Sequence, residues 1–127
     1  YVADQVIKLM LKKGIQVLGS KVLVLGFTFK ENCPDVRNTK VVDIVHTLEE
    51  YKAEVTVHDP WADPVIAKHE YDIDLNNNLP EGKFDAIILA VAHDKFNNLD
   101  ITKITNSNKV VYDVKGVLSE GVIDGKL

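Results

Sequence analysis

The chain has 127 residues, the usual size for one domain built on one hydrophobic core. With 46% apolar and 27% charged residues it is neither disordered nor fibrous, and a net charge of −4 excludes an overall basic footprint for nucleic acid. A single cysteine, Cys33, excludes a disulfide framework and a multi-thiolate metal site, and points to a reducing, cytoplasmic setting. No apolar run approaches the roughly 18 residues of a membrane span, so no membrane partner is expected.

Tyr1 to Lys13 has the spacing of an amphipathic helix, ended by Lys12-Lys13-Gly14. Residues 1–20 are expected to be a helix and linker leading in from a missing upstream region, and 21–127 a domain. Lys21-Val-Leu-Val-Leu25 is continuously apolar, as a strand covered on both faces requires, and ends at Gly26. A helix follows from Thr39 to Tyr51, with Val41, Ile44, Val45 and Leu48 on one face and Asn38 or Thr39 as its cap. Glu54 to His58 reads as a strand closed by Asp59-Pro60, and Pro64 to Tyr71 as a short helix. Ile73 and Leu75 give a minor strand, and Phe84 to Val91 the clearest buried one. Leu99 to Ile104 reads as a short helix, and Lys109 to Asp113 as the last strand.

Buried strands alternating with helices imply parallel pairing through crossovers. The expected fold is therefore α/β, an open parallel-sheet, three-layer Rossmann-like sandwich with an N-terminal helix. Ligands of such sheets gather beyond the carboxyl ends of the strands. That places the candidate site at Gly26 to Thr39, with Asp59-Pro60-Trp61, His93-Asp94 and Asp113 to Gly116 beside it. The first loop lacks Gly-x-Gly-x-x-Gly, so it builds no pyrophosphate turn of its own. It offers length, two aromatics, and Lys30 and Arg37 for anions, with Asp35 placed to orient Arg37. The plainer alternative is a solvated loop in which Lys30 and Arg37 pair with Glu31 and Asp35.

The run Gly26-x-x-Phe29-Lys30-Glu31-Asn32-x-x-Asp35-x-Arg37-Asn38-Thr39, then a helix, a strand and Asp59-Pro60, resembles the C-terminal domain of the UDP-glucose/GDP-mannose dehydrogenase family. The likeness continues to Tyr112-Asp113-Val114-Lys115-Gly116, and the whole is most similar to bacterial UDP-N-acetylhexosamine 6-dehydrogenases of the Vi-polysaccharide type. The resemblance implies oxidation of the C6 alcohol of a UDP-sugar to a uronate with NAD, for surface polysaccharide synthesis. In that family the NAD turn and the catalytic cysteine belong to upstream polypeptide, so no residue here is expected to be catalytic, and the isolated fragment is expected to be inactive. By position, Phe29 and Lys30 are implied to contact the UDP-sugar, Arg37 the cofactor, and Lys115 the substrate where many members carry arginine. The implied partners are the UDP-sugar and the N-terminal NAD-binding domain of the same chain, in a homodimer or larger assembly.

Cys33 has no adjacent histidine base in sequence, and histidines 46, 58, 69 and 93 show no close metal spacing, so no metal is expected. His93 reads as a satisfied loop histidine, and Trp61 as partly buried turn packing. Two other classes compete: a receiver-like signalling domain phosphorylated at Asp59, and a non-catalytic assembly domain.

Overall fold

A computed structural model of the protein describes residues 1–37 and 39–127. In chain order these form α1 (Val2–Lys12), β1 (Lys21–Leu25), α2 (Val41–Glu50), β2 (Glu54–His58), α3 (Pro64–Tyr71), β3 (Leu75–Asn76) and β4 (Phe84–Leu89). Two 3₁₀ turns follow, Asp94–Phe96 and Ile101–Lys103, then β5 (Thr105–Asp113) and β6 (Gly125–Lys126). The strands make one sheet in the order β3-β2-β1-β4-β5-β6, every neighbouring pair parallel. This is the doubly wound order, which reverses direction between β1 and β4. A receiver sheet has the order 2-1-3-4-5, so the topology speaks against the signalling reading.

The central strands are buried on both faces, and their alternating side chains divide the core in two. Val22, Val24, Ala86, Ile88, Val110 and Tyr112 face all three α-helices. Leu23, Leu25, Ile87, Leu89 and Val111 face Phe96, Ile101 and Ile104. The third layer is therefore two 3₁₀ turns and loop, where the sequence predicted a helix from Leu99 to Ile104. The reason is local: Asp100 accepts from the Thr102 N–H at 3.0 Å and its hydroxyl at 2.6 Å, which caps a single turn that then enters β5.

An 11-residue helix such as α1 is marginal alone, so docking must hold it. It buries Ala3, Val6, Ile7 and Met10 in the larger core, and its end is tied down by Lys13, whose ammonium lies 2.6 Å from Asp124. The α2 start is held by Thr39, whose Oγ1 accepts from the Val41 N–H at 3.2 Å; the alternative cap, Asn38, falls outside the described residues. At α3 the Asp63 carboxylate accepts from the Val65 N–H at 2.9 Å, with Pro64 in the first turn, so this helix runs as its sequence signals say.

Candidate functional site

Register brings the strand ends to one edge. Leu25 lies opposite both His58 and Leu89, and Leu89 opposite Asp113, so Gly26, Asp59, Ala90 and Val114 all emerge together. At the β1/β4 switch point the edge opens into a cleft of about 490 Å³. Phe29 from the β1 loop, Thr39 and Lys40 at the start of α2, Val91 after β4 and Lys115 after β5 line it. Tyr1 and Leu127, at the two ends of the chain, complete the wall. Its volume is that of a small-molecule site. The Phe29 ring is half exposed, two lysines supply cations, and the helix start adds the positive end of a peptide dipole. A flat aromatic or heterocyclic group and an anionic group are what such a lining accepts.

Of the four residues singled out from sequence, the structure brings Phe29 and Lys115 together in this cleft and leaves Lys30 and Arg37 outside its lining. Lys30 is exposed and makes no ion pair among the described residues, Glu31 included. Arg37 is exposed and forms a fork with Asp35, Nε to Oδ1 at 3.0 Å and Nη2 to Oδ2 at 3.1 Å. Hydrogen bonding from Arg37 holds the Asp35 carboxyl below its ordinary pKa and raises that of the guanidinium. The pair borders a second cavity, about 680 Å³, between this loop and Ile66 and Tyr71 of α3. Lys40 and the chain ends escaped the sequence reading, since only the closed sheet brings them to Phe29.

The loop that carries Phe29 is anchored by a buried polar cluster. Asp59 Oδ2 accepts from the N–H groups of Phe27 (2.6 Å) and Thr28 (3.1 Å), and Oδ1 from those of Trp61 (2.7 Å) and Ala62 (3.1 Å). His93 Nε2 lies 2.9 Å from Asp59 Oδ2 and 3.1 Å from Thr28 Oγ1, while its Nδ1 accepts from the Asn32 N–H at 2.8 Å. Burial alone would push the Asp59 carboxyl upward, but the bonds from His93, Phe27 and Trp61 outweigh it and hold the pKa below the ordinary value. Both ring nitrogens of His93 are thus engaged, and Cys33, one residue past Asn32, gains no base from it. Asp113 does the same work on the far side of the cleft, accepting from the N–H groups of Lys115, Gly116 and Leu118. Trp61 is 38% exposed and lies under the Lys95 ammonium at 5.0 Å, partly packed as its turn position implied.

The β1 turn does not fit a dinucleotide. Gly26 is in contact with Val91, and Phe27, fully buried, packs edge-on to Tyr71 at 5.6 Å, where a pyrophosphate would need open backbone.

Comparison with known proteins agrees with this geometry. A family model described as the UDP-glucose/GDP-mannose dehydrogenase family, UDP binding domain, matches residues 23–120. The UDP-N-acetyl-D-glucosamine 6-dehydrogenase of Pseudomonas aeruginosa is 49% identical over 130 residues, covering 100% of this chain and 31% of that protein. The enzyme of the same name from Salmonella typhi is 45% identical with the same shares. Among solved structures, an NDP-N-acetyl-D-galactosaminuronic acid dehydrogenase from Methanosarcina mazei Go1 superposes with a TM-score of 0.82 at 25% identity, over 93% of this chain and 25% of that one. The chain thus spans about a third of the length of the relatives it matches. With the doubly wound order, the cleft at its switch point and the matched motif in agreement, the chain belongs to the UDP-glucose/GDP-mannose dehydrogenase family, as its UDP binding domain.

Proposed function

We propose that the chain is the UDP-sugar half-site of a cytoplasmic, NAD-dependent UDP-N-acetylhexosamine or UDP-glucose 6-dehydrogenase, which oxidises the C6 alcohol to a uronate for surface polysaccharide. The observation that carries this reading is the cleft lined by both Phe29 and Lys115 beside the start of α2. In it the Phe29 ring stacks on the uracil or the sugar, and Lys115 neutralises the diphosphate, helped by the α2 dipole. Lys30, at the rim, adds a second mobile cation through its flexible stem. NAD supplies the hydride acceptor and is seated by polypeptide beyond these residues. Arg37, exposed and with donors left after its fork to Asp35, reaches toward the cofactor from this side. Residues 1–20 lead in from that upstream region, 21–127 form the substrate domain, and the whole enzyme assembles as a homodimer or larger.

The test is calorimetric titration of the chain with UDP, UDP-N-acetylglucosamine and NAD⁺, with an assay for NADH. UDP and the UDP-sugar are expected to bind with similar affinity, NAD⁺ not to bind, and no turnover to occur. Lys115→Ala should weaken UDP by about ten- to a hundredfold, the equivalent of one charge-assisted hydrogen bond. Binding of NAD⁺ without UDP, or turnover by the chain, would overturn the proposal.

A further inference from the structure

His93 is fully buried, sits just beyond the end of β4, and is not itself part of the cleft's lining. Its bonding fixes its tautomer. The Asn32 backbone N–H can only donate, so Nδ1 is an acceptor without a proton. Nε2 therefore carries the proton and gives it to Asp59 Oδ2, shared with Thr28 Oγ1, whose own proton goes to the Lys30 carbonyl at 2.7 Å. The Asn32 side chain answers in the other direction: Oδ1 accepts from the Asp94 N–H at 2.9 Å. Asn32 itself has φ of 56°, a left-handed conformation that an asparagine tolerates at some cost. The loop from Phe27 to Asn32 is thus pinned at its base by Asp59 and at its tip by His93 and Asn32. Between these pins the Phe29 N–H is also held, by the Asp35 carbonyl at 2.8 Å, while the Phe29 and Lys30 side chains are exposed, so their own packing does not orient them.

We infer that His93 is a positioning residue for nucleotide binding, an imidazole latch whose Nδ1 holds the loop tip at Asn32 so that Phe29 faces the cleft. The inference rests on the nucleotide reading of that cleft. It divides the work of the ring: the Nε2 side serves the fold through Asp59, which has four other donors, and the Nδ1 side serves the loop.

Two substitutions separate the sides. His93→Gln extends an amide to the Nε2 position and keeps a donor for Asp59, but leaves the Asn32 N–H without its acceptor. His93→Asn places an amide oxygen near Nδ1 and keeps that acceptor, but withdraws the donor from Asp59. Three readouts on the chain are needed: UDP affinity, the urea midpoint, and hydrogen exchange at the Asn32 amide. In His93→Gln the midpoint should stay near wild type while the Asn32 amide exchanges freely and UDP affinity falls by about tenfold or more, the scale of one lost orienting bond. In His93→Asn affinity should return to within about threefold of wild type although the midpoint drops. The latch is overturned if His93→Gln frees the Asn32 amide yet binds UDP as wild type does. It is also overturned if both variants lose affinity only in proportion to their unfolded fraction. Should His93→Gln fail to fold, the nitrogen-15 spectrum of the wild-type imidazole decides, since a proton on Nδ1 contradicts the latch. Failure of the wild-type chain to bind UDP, with the Asn32 amide still protected, would instead overturn the nucleotide reading, and the latch's role with it.

Discussion

Replacing Asp59 with alanine is expected to unfold the chain, or to lower its stability by more than about 4 kcal/mol. The carboxylate is fully buried and accepts from four backbone N–H groups and from His93. Three of those bonds, from Phe27, Thr28 and Ala62, are buried, and each donor orphaned there costs about 1–3 kcal/mol. Their sum rivals the whole stability of an ordinary domain, about 5–15 kcal/mol. Asp59→Asn keeps one oxygen acceptor and should lose less. The same group shapes the acid limb of stability. Its folded pKa lies below the ordinary 3.8, so the unfolded chain binds more protons there. The contribution is therefore complete above about pH 4 and is lost as pH falls through the lower folded value. His58 acts closer to neutrality: burial lowers its pKa from 6.5, so the unfolded chain takes up that proton first and stability declines as pH falls below that value. Urea midpoints measured from pH 7 to pH 3 should show both arms in wild type and a shallower acid arm in Asp59→Asn, where the lowered carboxyls of Asp35, Asp72 and Asp100 still contribute. An unchanged acid limb in that variant would contradict the assignment.

Gly26→Ala is expected to cost about 2–5 kcal/mol and to weaken UDP binding as well, from left-handed strain together with overpacking. Gly26 has φ of 96°, and a Cβ there would lie 2.6 Å from Val91 Cβ and 2.8 Å from its backbone nitrogen. Nothing at that contact is a flexible side-chain end. Relief requires the segment just after β4 to move, yet the Leu25 carbonyl holds the N–H groups of Ala90 (2.9 Å) and Val91 (3.3 Å) at this point. Val91 also lines the cleft, so the disturbance reaches the ligand. Val91→Gly removes only the Cβ half of the clash and should not restore the double variant. Full recovery in that double variant, or a midpoint for Gly26→Ala equal to wild type, would show that the close approach is not a constraint.

What the sequence could tell follows from how local each signal is. Lys21–Leu25, Glu54–His58 and Pro64–Tyr71 run over the residues expected of them. A continuous apolar run needs a buried strand, and a proline such as Pro64 suits the first turn of a helix. β6 was missed because Gly125-Lys126 has no apolar pattern. It pairs with β5 because the missing side chain at Gly125 lets the Tyr112 ring lie against it. β5 begins at Thr105, earlier than the apolar run at Lys109, across a register shift against β4 that periodicity does not reveal. At the site, the length and charges of the β1 loop were legible, but the distribution of its cations was not. Asp35 two residues away captures Arg37, whereas Lys115 enters the cleft because Asp113 folds its loop back. His93 and Asp59 were visible only as polar residues at strand ends. Their union depends on the β1/β4 and β1/β2 pairings, which place residues 34 apart in sequence within 2.9 Å.

The central claim, that the β1/β4 switch point holds a uridine diphosphate, is tested most directly by nitrogen-15 amide shifts of the chain during UDP titration. Saturable shifts are predicted at Thr28, Phe29, Val41, Val91 and Lys115, all bordering the one cleft. Shifts confined to Gln16, Asn106 and Asn108 at the opposite edge of the sheet, or to Val36 and Tyr71 around the second cavity, would contradict it.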